Sequence, residues 1–346
     1  MGRDPGCPVA PRAPKPAKKK RRARHLIAEL EVRLAELQRR VTEAHIQNAR
    51  ARLETDLLRA LVVSREALLA ACVPEKRPAD AAAAAAALSE AMRQLSRTVH
   101  GGGGGGGESG GASGGAPAPA LDAPALIAAI GGVRASPKAG ATELRASWRE
   151  RMREAAAVIA APGGAQADQR VVEALHGAAS LLIGHCLCCP WAHELLTANL
   201  ITWRPEPASH ATWAVWVDGL GLTPRQEAAL LELQRHFERQ MASLRSEQLR
   251  RAAAVRDLAA SGALDLALEA LDDLAAANAW MPVCAAAANV VVHAALLTPR
   301  QMLWLYVNAA PAWVPGVTAL LDAVERRAAA GAPLPAAPAA AVGAAE

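Results

Sequence analysis

The chain has 346 residues, 52% of them hydrophobic and 21% charged, with a formal net charge of +5. That length allows two folded units plus linkers at roughly 100–200 residues each. No apolar run reaches the roughly 20 residues needed to cross a bilayer, the first residues lack the apolar stretch of a secretory leader, and six cysteines are too few for a disulfide framework. The expectation is therefore a soluble protein with reduced thiols and no membrane partner.

The charge is unevenly distributed. Residues 1–24 hold nine Lys/Arg and one Asp, a net +8, so the rest of the chain carries −3. A basic arm on a mildly acidic body points to nucleic acid, an acidic partner or an import receptor.

Residues 1–16 carry five prolines. Repeated proline removes backbone donors and clashes with helix, so a disordered arm is expected there. Residues 17–72 contain neither Pro nor Gly, and Pro16 suits a first helical position. One continuous helix is predicted over 17–72. Residues 79–99 read as a shorter Ala-based helix. Within 73–120, the stretch 101–119 is rich in Gly, Ser, Ala and Pro and is expected to be a flexible low-complexity linker. From 121 to about 332 the pattern is helical throughout, without the period-2 alternation of strands. Helices are predicted at 122–130, 141–160, 167–187, 190–201, 208–218, 223–260, 263–279, 282–296, 299–309 and 314–330, before a disordered tail over 333–346.

The expected fold class is thus all-α: a long N-terminal parallel dimeric coiled coil, a low-complexity linker and a C-terminal irregular helical domain.

A short repeat marks two helix starts. Leu222-Thr-Pro-Arg-Gln226 recurs as Leu297-Thr-Pro-Arg-Gln301. In each copy Thr caps, Pro takes the first helical position and Gln falls three residues after Thr, the pattern of a capping box. Reuse of a good cap and duplication of a module both account for it.

Heptads follow the basic run. With Ile27 at a and Leu30 at d, the a positions are Ile27, Leu34, Val41, Asn48, Thr55 and Val62, and the d positions are Leu30, Leu37, Ala44, Ala51 and Leu58. β-branched a residues with Leu at d favour a parallel pair of helices, and an Asn at a fixes register and the two-chain state at a cost in stability. The dimerisation residues are then Ile27, Leu30, Leu34, Leu37, Val41, Asn48 and Leu58. Only Glu54–Arg59 among the g-to-e′ pairs is charge-complementary, so a heterodimer with more acidic e positions would be better matched. The competing reading is an amphipathic helix docked on its own body.

Seven of the ten residues 15–24 are cationic: Lys15, Lys18, Lys19, Lys20, Arg21, Arg22 and Arg24. Such a run serves as a nuclear import signal. Continuous with a dimeric coil, it is also how forked helices enter the DNA major groove.

This arrangement resembles the basic leucine zipper (bZIP) transcription factors. Ten residues before Leu30 stands Lys20, where that family places Arg or Lys. Eight residues earlier, where it usually has a base-reading Asn, stands Arg12, and Pro14 and Pro16 lie between. The resemblance covers about residues 15–62. The body is similar to the alanine-rich bZIP proteins of green algae, in which an L-T-P-x-Q helix start precedes a pattern close to LTPRQMLWLYVNAAPAWVPGVTALL over 297–321. The resemblance implies a nuclear, DNA-binding transcription regulator with a shortened basic region. Its partners would be double-stranded DNA and a second bZIP chain, as homodimer or heterodimer. Phosphate contacts, which position, are kept better than base contacts, which specify. The alternative is a nuclear coiled-coil interaction protein without DNA binding.

Signals for enzymatic chemistry are weak. There is no G-x-S-x-G, no phosphate-cradling loop and no H-E-x-x-H. Cys186, Cys188 and Cys189 with His185 or His193 offer zinc-type ligands, but their spacing departs from the usual one, and helix packing is the expected role. No catalytic residue, metal or cofactor is assigned.

Overall fold

The computed structural model describes residues 16–72, 78–101, 120–134, 140–161, 165–189, 196–202, 204–310 and 312–331. Within α1 the side chains are described from Arg24. The protein is all-α. Among the described residues there is no strand, and a single isolated bridge joins Asn199 and Arg204. The helices are α1 (Pro16–Cys72), α2 (Pro78–His100), α3 (Ala123–Arg134), α4 (Ala141–Ala160) and α5 (Ala165–Cys188). They continue with α6 (His210–Gly219), α7 (Pro224–Ala260), α8 (Leu264–Val291), α9 (Pro299–Ala309) and α10 (Val317–Ala329). A π-helical turn, Val292–Leu296, follows α8 directly.

The chain divides into two compact units, residues 1–52 and 53–346. In the first, every described side chain from Arg24 to Arg52 is exposed. The helix there is supported by its own i,i+4 pairs, Glu29–Arg33 at 3.4 Å and Arg39–Glu43 at 3.0 Å. Exposed pairs of this kind contribute only about 0.3–0.5 kcal/mol each.

The second unit begins inside α1. Leu57, Ala60, Leu61, Ser64, Ala67 and Leu68 are buried there, one stripe at helical spacing. A half-buried bond from the Thr98 hydroxyl to Asp56 Oδ2 (2.7 Å) ties this segment to α2. α2 in turn buries Leu88, Met92, Leu95 and Val99. Residues 53–72 and 78–100 therefore belong with the body. The sequence reading had grouped the former with the coil and 73–120 as a linker, because Ala-rich composition does not reveal which face is covered. Residues 102–119 lie outside the described residues.

The core is built around the C-terminal half of α8 and the π turn. Val290, Val291, Val292, His293 and Leu296 are completely buried. Around them pack Leu126 and Ile130 of α3, Trp148 of α4, Leu175 and Ile183 of α5, Leu230 and Leu233 of α7, and Leu303 and Tyr306 of α9. α7 and α8 form an antiparallel hairpin, pinned by Gln240–Cys284, Gln248–Met281 and a bond from Arg251 to the Asp273 carbonyl. The turn is a Schellman motif: Ala263 N–H bonds the Leu258 carbonyl and Gly262 N–H the Ala259 carbonyl. Gly262 takes φ +80, which only glycine adopts without strain.

Three expectations are corrected. The predicted helices 263–279 and 282–296 are one helix, because α8 runs through Pro282. The missing amide costs one hydrogen bond, and the burial of Val283, Cys284, Ala286 and Ala287 just beyond it holds the helix together. The predicted helix 190–201 is not helical over 196–201. There the Asn199 side chain accepts from the amides of Ile201 and Thr202, a local turn that competes with helix; residues 190–195 lie outside the described residues. Finally, two helical stretches, Gln166–Cys188 and Leu264–Leu296, do reach bilayer-spanning length, with mean hydropathy 1.5 and 1.6. Of their most apolar windows, 44% and 67% are buried inside the protein, so much of that apolar surface is already covered by other helices.

Candidate functional site

The cationic run lies on α1 from its first turn, since the helix starts at Pro16. Lys18, Lys19, Lys20, Arg21, Arg22 and Arg24 are helical, and the Arg24 side chain is exposed. Lys15 and Arg12 lie outside the described residues, as do the side chains of residues 16–23.

Beyond Arg24, one face of α1 carries an apolar stripe. Ile27, Leu30, Leu34, Leu37 and Val41 are each 54–57% exposed. They fall at successive a and d positions. Asn48, at the next a position, is also exposed. Leu26, Val32 and Ile46 are exposed apolar residues off this seam.

Within the second unit the buried stripe of α1 avoids the a and d positions of the heptad. From residue 53 the buried residues are Leu57 and Ser64 at c, Leu61 and Leu68 at g, Ala60 and Ala67 at f and Asp56 at b in the register set by Ile27. Along that segment the a residues Thr55 and Val62 are exposed, and the d residue Leu58 is half-buried. Residues 53–72 thus pack through positions the heptad leaves unassigned, while the side chains from Ile27 to Asn48 are exposed.

The cysteine cluster sits at the C-terminal end of α5. His185 is buried and its Nδ1–H donates to the Leu181 carbonyl at 2.7 Å. Burial, then the neighbouring Cys189, pushes the Cys186 thiol up to about 12, so it stays protonated. A thiol raised in this way is not activated as a nucleophile. Among the described residues no three His, Cys, Asp or Glu side chains converge as metal ligands. His193 lies outside them.

Two constellations emerged that the sequence did not single out. The first is His293–Tyr306. His293 Nδ1 is 2.6 Å from the Asn289 carbonyl, and Nε2 is 2.5 Å from the Tyr306 hydroxyl. A carbonyl can only accept, so Nδ1 carries the proton and Nε2 accepts from Tyr306 O–H. Burial lowers the His293 pKa to about 4 and raises that of Tyr306 above its ordinary range. Trp148 stacks edge-on against the Tyr306 ring, with centroids 5.2 Å apart. Both partners are neutral, mutually satisfied and out of reach of solvent, an arrangement that locks the π turn rather than moving a proton.

The second is the meeting of the two capping boxes. Both copies of L-T-P-R-Q form the full box, with Thr223 and Thr298 accepting from the N3 amides and the glutamines returning the bond. Gln226 and Gln301 also bond to each other. The repeat was visible in the sequence; that its copies touch was not.

No protein-family model matches the chain, and no curated protein and no solved structure matches it either.

Proposed function

We propose that the protein is a bZIP-like, DNA-binding transcription regulator acting in the nucleus as a coiled-coil dimer. The observation that carries this reading is the exposed stripe Ile27–Leu30–Leu34–Leu37–Val41 on the same helix as the cationic run. A helix with no packed face is marginal in water, and a row of large apolar side chains exposed by more than half is the surface expected of an interaction site. Pairing with a second copy, or with another bZIP chain, would cover that row and bring two sets of Lys18–Arg24 side by side. Asn48 would then set the register.

The cations would neutralise phosphates on either side of the major groove. The cationic part of α1, Pro16–Arg24, spans only about two and a half helical turns, so affinity would come from phosphates more than from bases. The test is a salt titration of binding to a short DNA duplex by the full chain. Log K should fall linearly with log salt, by about 0.9 per phosphate neutralised. Absence of binding at low salt overturns the DNA role.

The short basic helix also favours a second reading, a nuclear coiled-coil interaction protein whose basic run is an import signal. In that case dimerisation persists, duplex binding is absent, and neutralising Lys18–Arg24 abolishes nuclear accumulation only.

A further inference from the structure

Residues of α5, α7, α8 and α10, with Leu69, line an open groove of about 1620 Å³. Its walls include Phe237, Met241, Trp280 and Met281. At one place the lining is polar and acceptor-rich. Gln234 Nε2 donates to Glu238 Oε1 and to Asp322 Oδ1, both at 2.8 Å. One amide nitrogen thus holds two carboxylates close together, and among the described residues no ion pair neutralises either. Gln234 is 2% exposed, and its Oε1 has no hydrogen-bond partner. Leaving a buried acceptor unsatisfied costs roughly 1–3 kcal/mol.

An apolar floor with paired carboxylates and an orphaned acceptor calls for an apolar ligand bearing one donor-rich cation. Size selects its class. The groove exceeds the roughly 300–1,000 Å³ of small-molecule pockets, and it is open along one side as a helix about 10–12 Å across requires. Met241 and Met281 supply the adaptable surface that suits peptide side chains. Charge selects further. Arg245 also lines the groove, about 10 Å along α7 from Glu238 by helical rise, and would repel a polycation such as the run 15–24. The tail 332–346 has no Lys or Arg and offers nothing to the carboxylates.

We propose that this groove docks an amphipathic helix of a partner protein, its apolar face on Phe237, Met241, Trp280 and Met281 and a single lysine ammonium between Glu238 and Asp322. The three N–H donors of the ammonium take the acceptors that Gln234 now draws together. This function is independent of the dimerisation and DNA binding proposed for residues 15–62.

The test uses the full chain and three fluorescent synthetic helices of about 16 residues. All carry leucine at i, i+4, i+7 and i+11 on an alanine background, and they differ at one position between the leucines: Lys, norleucine or Glu. Anisotropy should show the Lys peptide binding at least about tenfold tighter than the Glu peptide, a difference of about 1.4 kcal/mol. The isosteric double variant Glu238→Gln/Asp322→Asn should erase that preference and leave the norleucine peptide unchanged. Trp280→Ala, at a partly exposed site, should weaken all three. Equal affinities for the three peptides in the wild type overturn the proposal. So does a preference that survives the double variant, or n-hexylammonium binding without peptide binding.

Discussion

Gln226 and Gln301, 75 positions apart in the two copies of L-T-P-R-Q, form a reciprocal amide pair. Gln226 Nε2 lies 2.8 Å from Gln301 Oε1, and Gln301 Nε2 lies 3.3 Å from Gln226 Oε1. Each amide also donates to a carbonyl beside the other copy: Gln226 to Leu296 and Gln301 to Leu220, both at 3.0 Å. Each Oε1 accepts the amide of its own capping threonine, at 3.0 Å for Thr223 and 2.9 Å for Thr298. Every donor is used. A satisfied buried network of this kind rigidifies and specifies a core.

Gln301→Ala should therefore destabilise the protein by about 2–4 kcal/mol, since it removes a cap and strands buried partners. Adding Gln226→Ala should cost less than it does in the wild type, by about 1 kcal/mol of coupling. Urea denaturation of the four members of the cycle measures this.

His293 gives the stability a defined pH dependence. Its native pKa of about 4 lies below the ordinary 6.5. Between those values the unfolded state binds the extra proton, so stability is fully present above pH 6.5 and is lost as pH falls towards 4. The loss amounts to about 3 kcal/mol. His293→Leu should flatten this window in a pH series of thermal melts.

Tyr306→Phe should cost about 1–3 kcal/mol by leaving Nε2 of His293 buried without a donor. In the same melts the variant should retain the pH dependence, because the ring stays buried.

The two faces of α1 should respond separately. Leu57→Ala and Leu68→Ala remove fully buried side chains and should destabilise the body by about 2–5 kcal/mol. Leu34→Ala, at a site 57% exposed, should leave unfolding of the body unchanged at low protein concentration and weaken self-association. Concentration-dependent denaturation distinguishes the two.

Helix placement was legible wherever a cap or breaker punctuated the chain. Thr223-Pro224 and Thr298-Pro299 started helices where expected, and the residues 17–72 without Pro or Gly formed one helix. Pro282 misled, because a proline with well-buried neighbours on its C-terminal side is carried through rather than ending the helix. The segment after Pro190 misled because the Asn199 side chain bonds its own backbone. Partner choice was the least legible feature. In an Ala-rich helix neither face announces itself by bulk, so the heptad pattern did not reveal that Leu57, Leu61 and Leu68 face the body. His293 gave one signal, being with Asn289 one of two polar residues in the run 285–297, but its partner Tyr306 lies beyond a turn.

The central claim is that the row from Ile27 to Val41 is covered by a second copy of the chain. Sedimentation equilibrium of the full chain at micromolar to submillimolar concentration tests it most directly. The account predicts a species of twice 35.9 kDa that Leu30→Glu/Leu34→Glu converts to monomer without loss of helix. A wild-type chain that remains at 35.9 kDa across the whole range contradicts it.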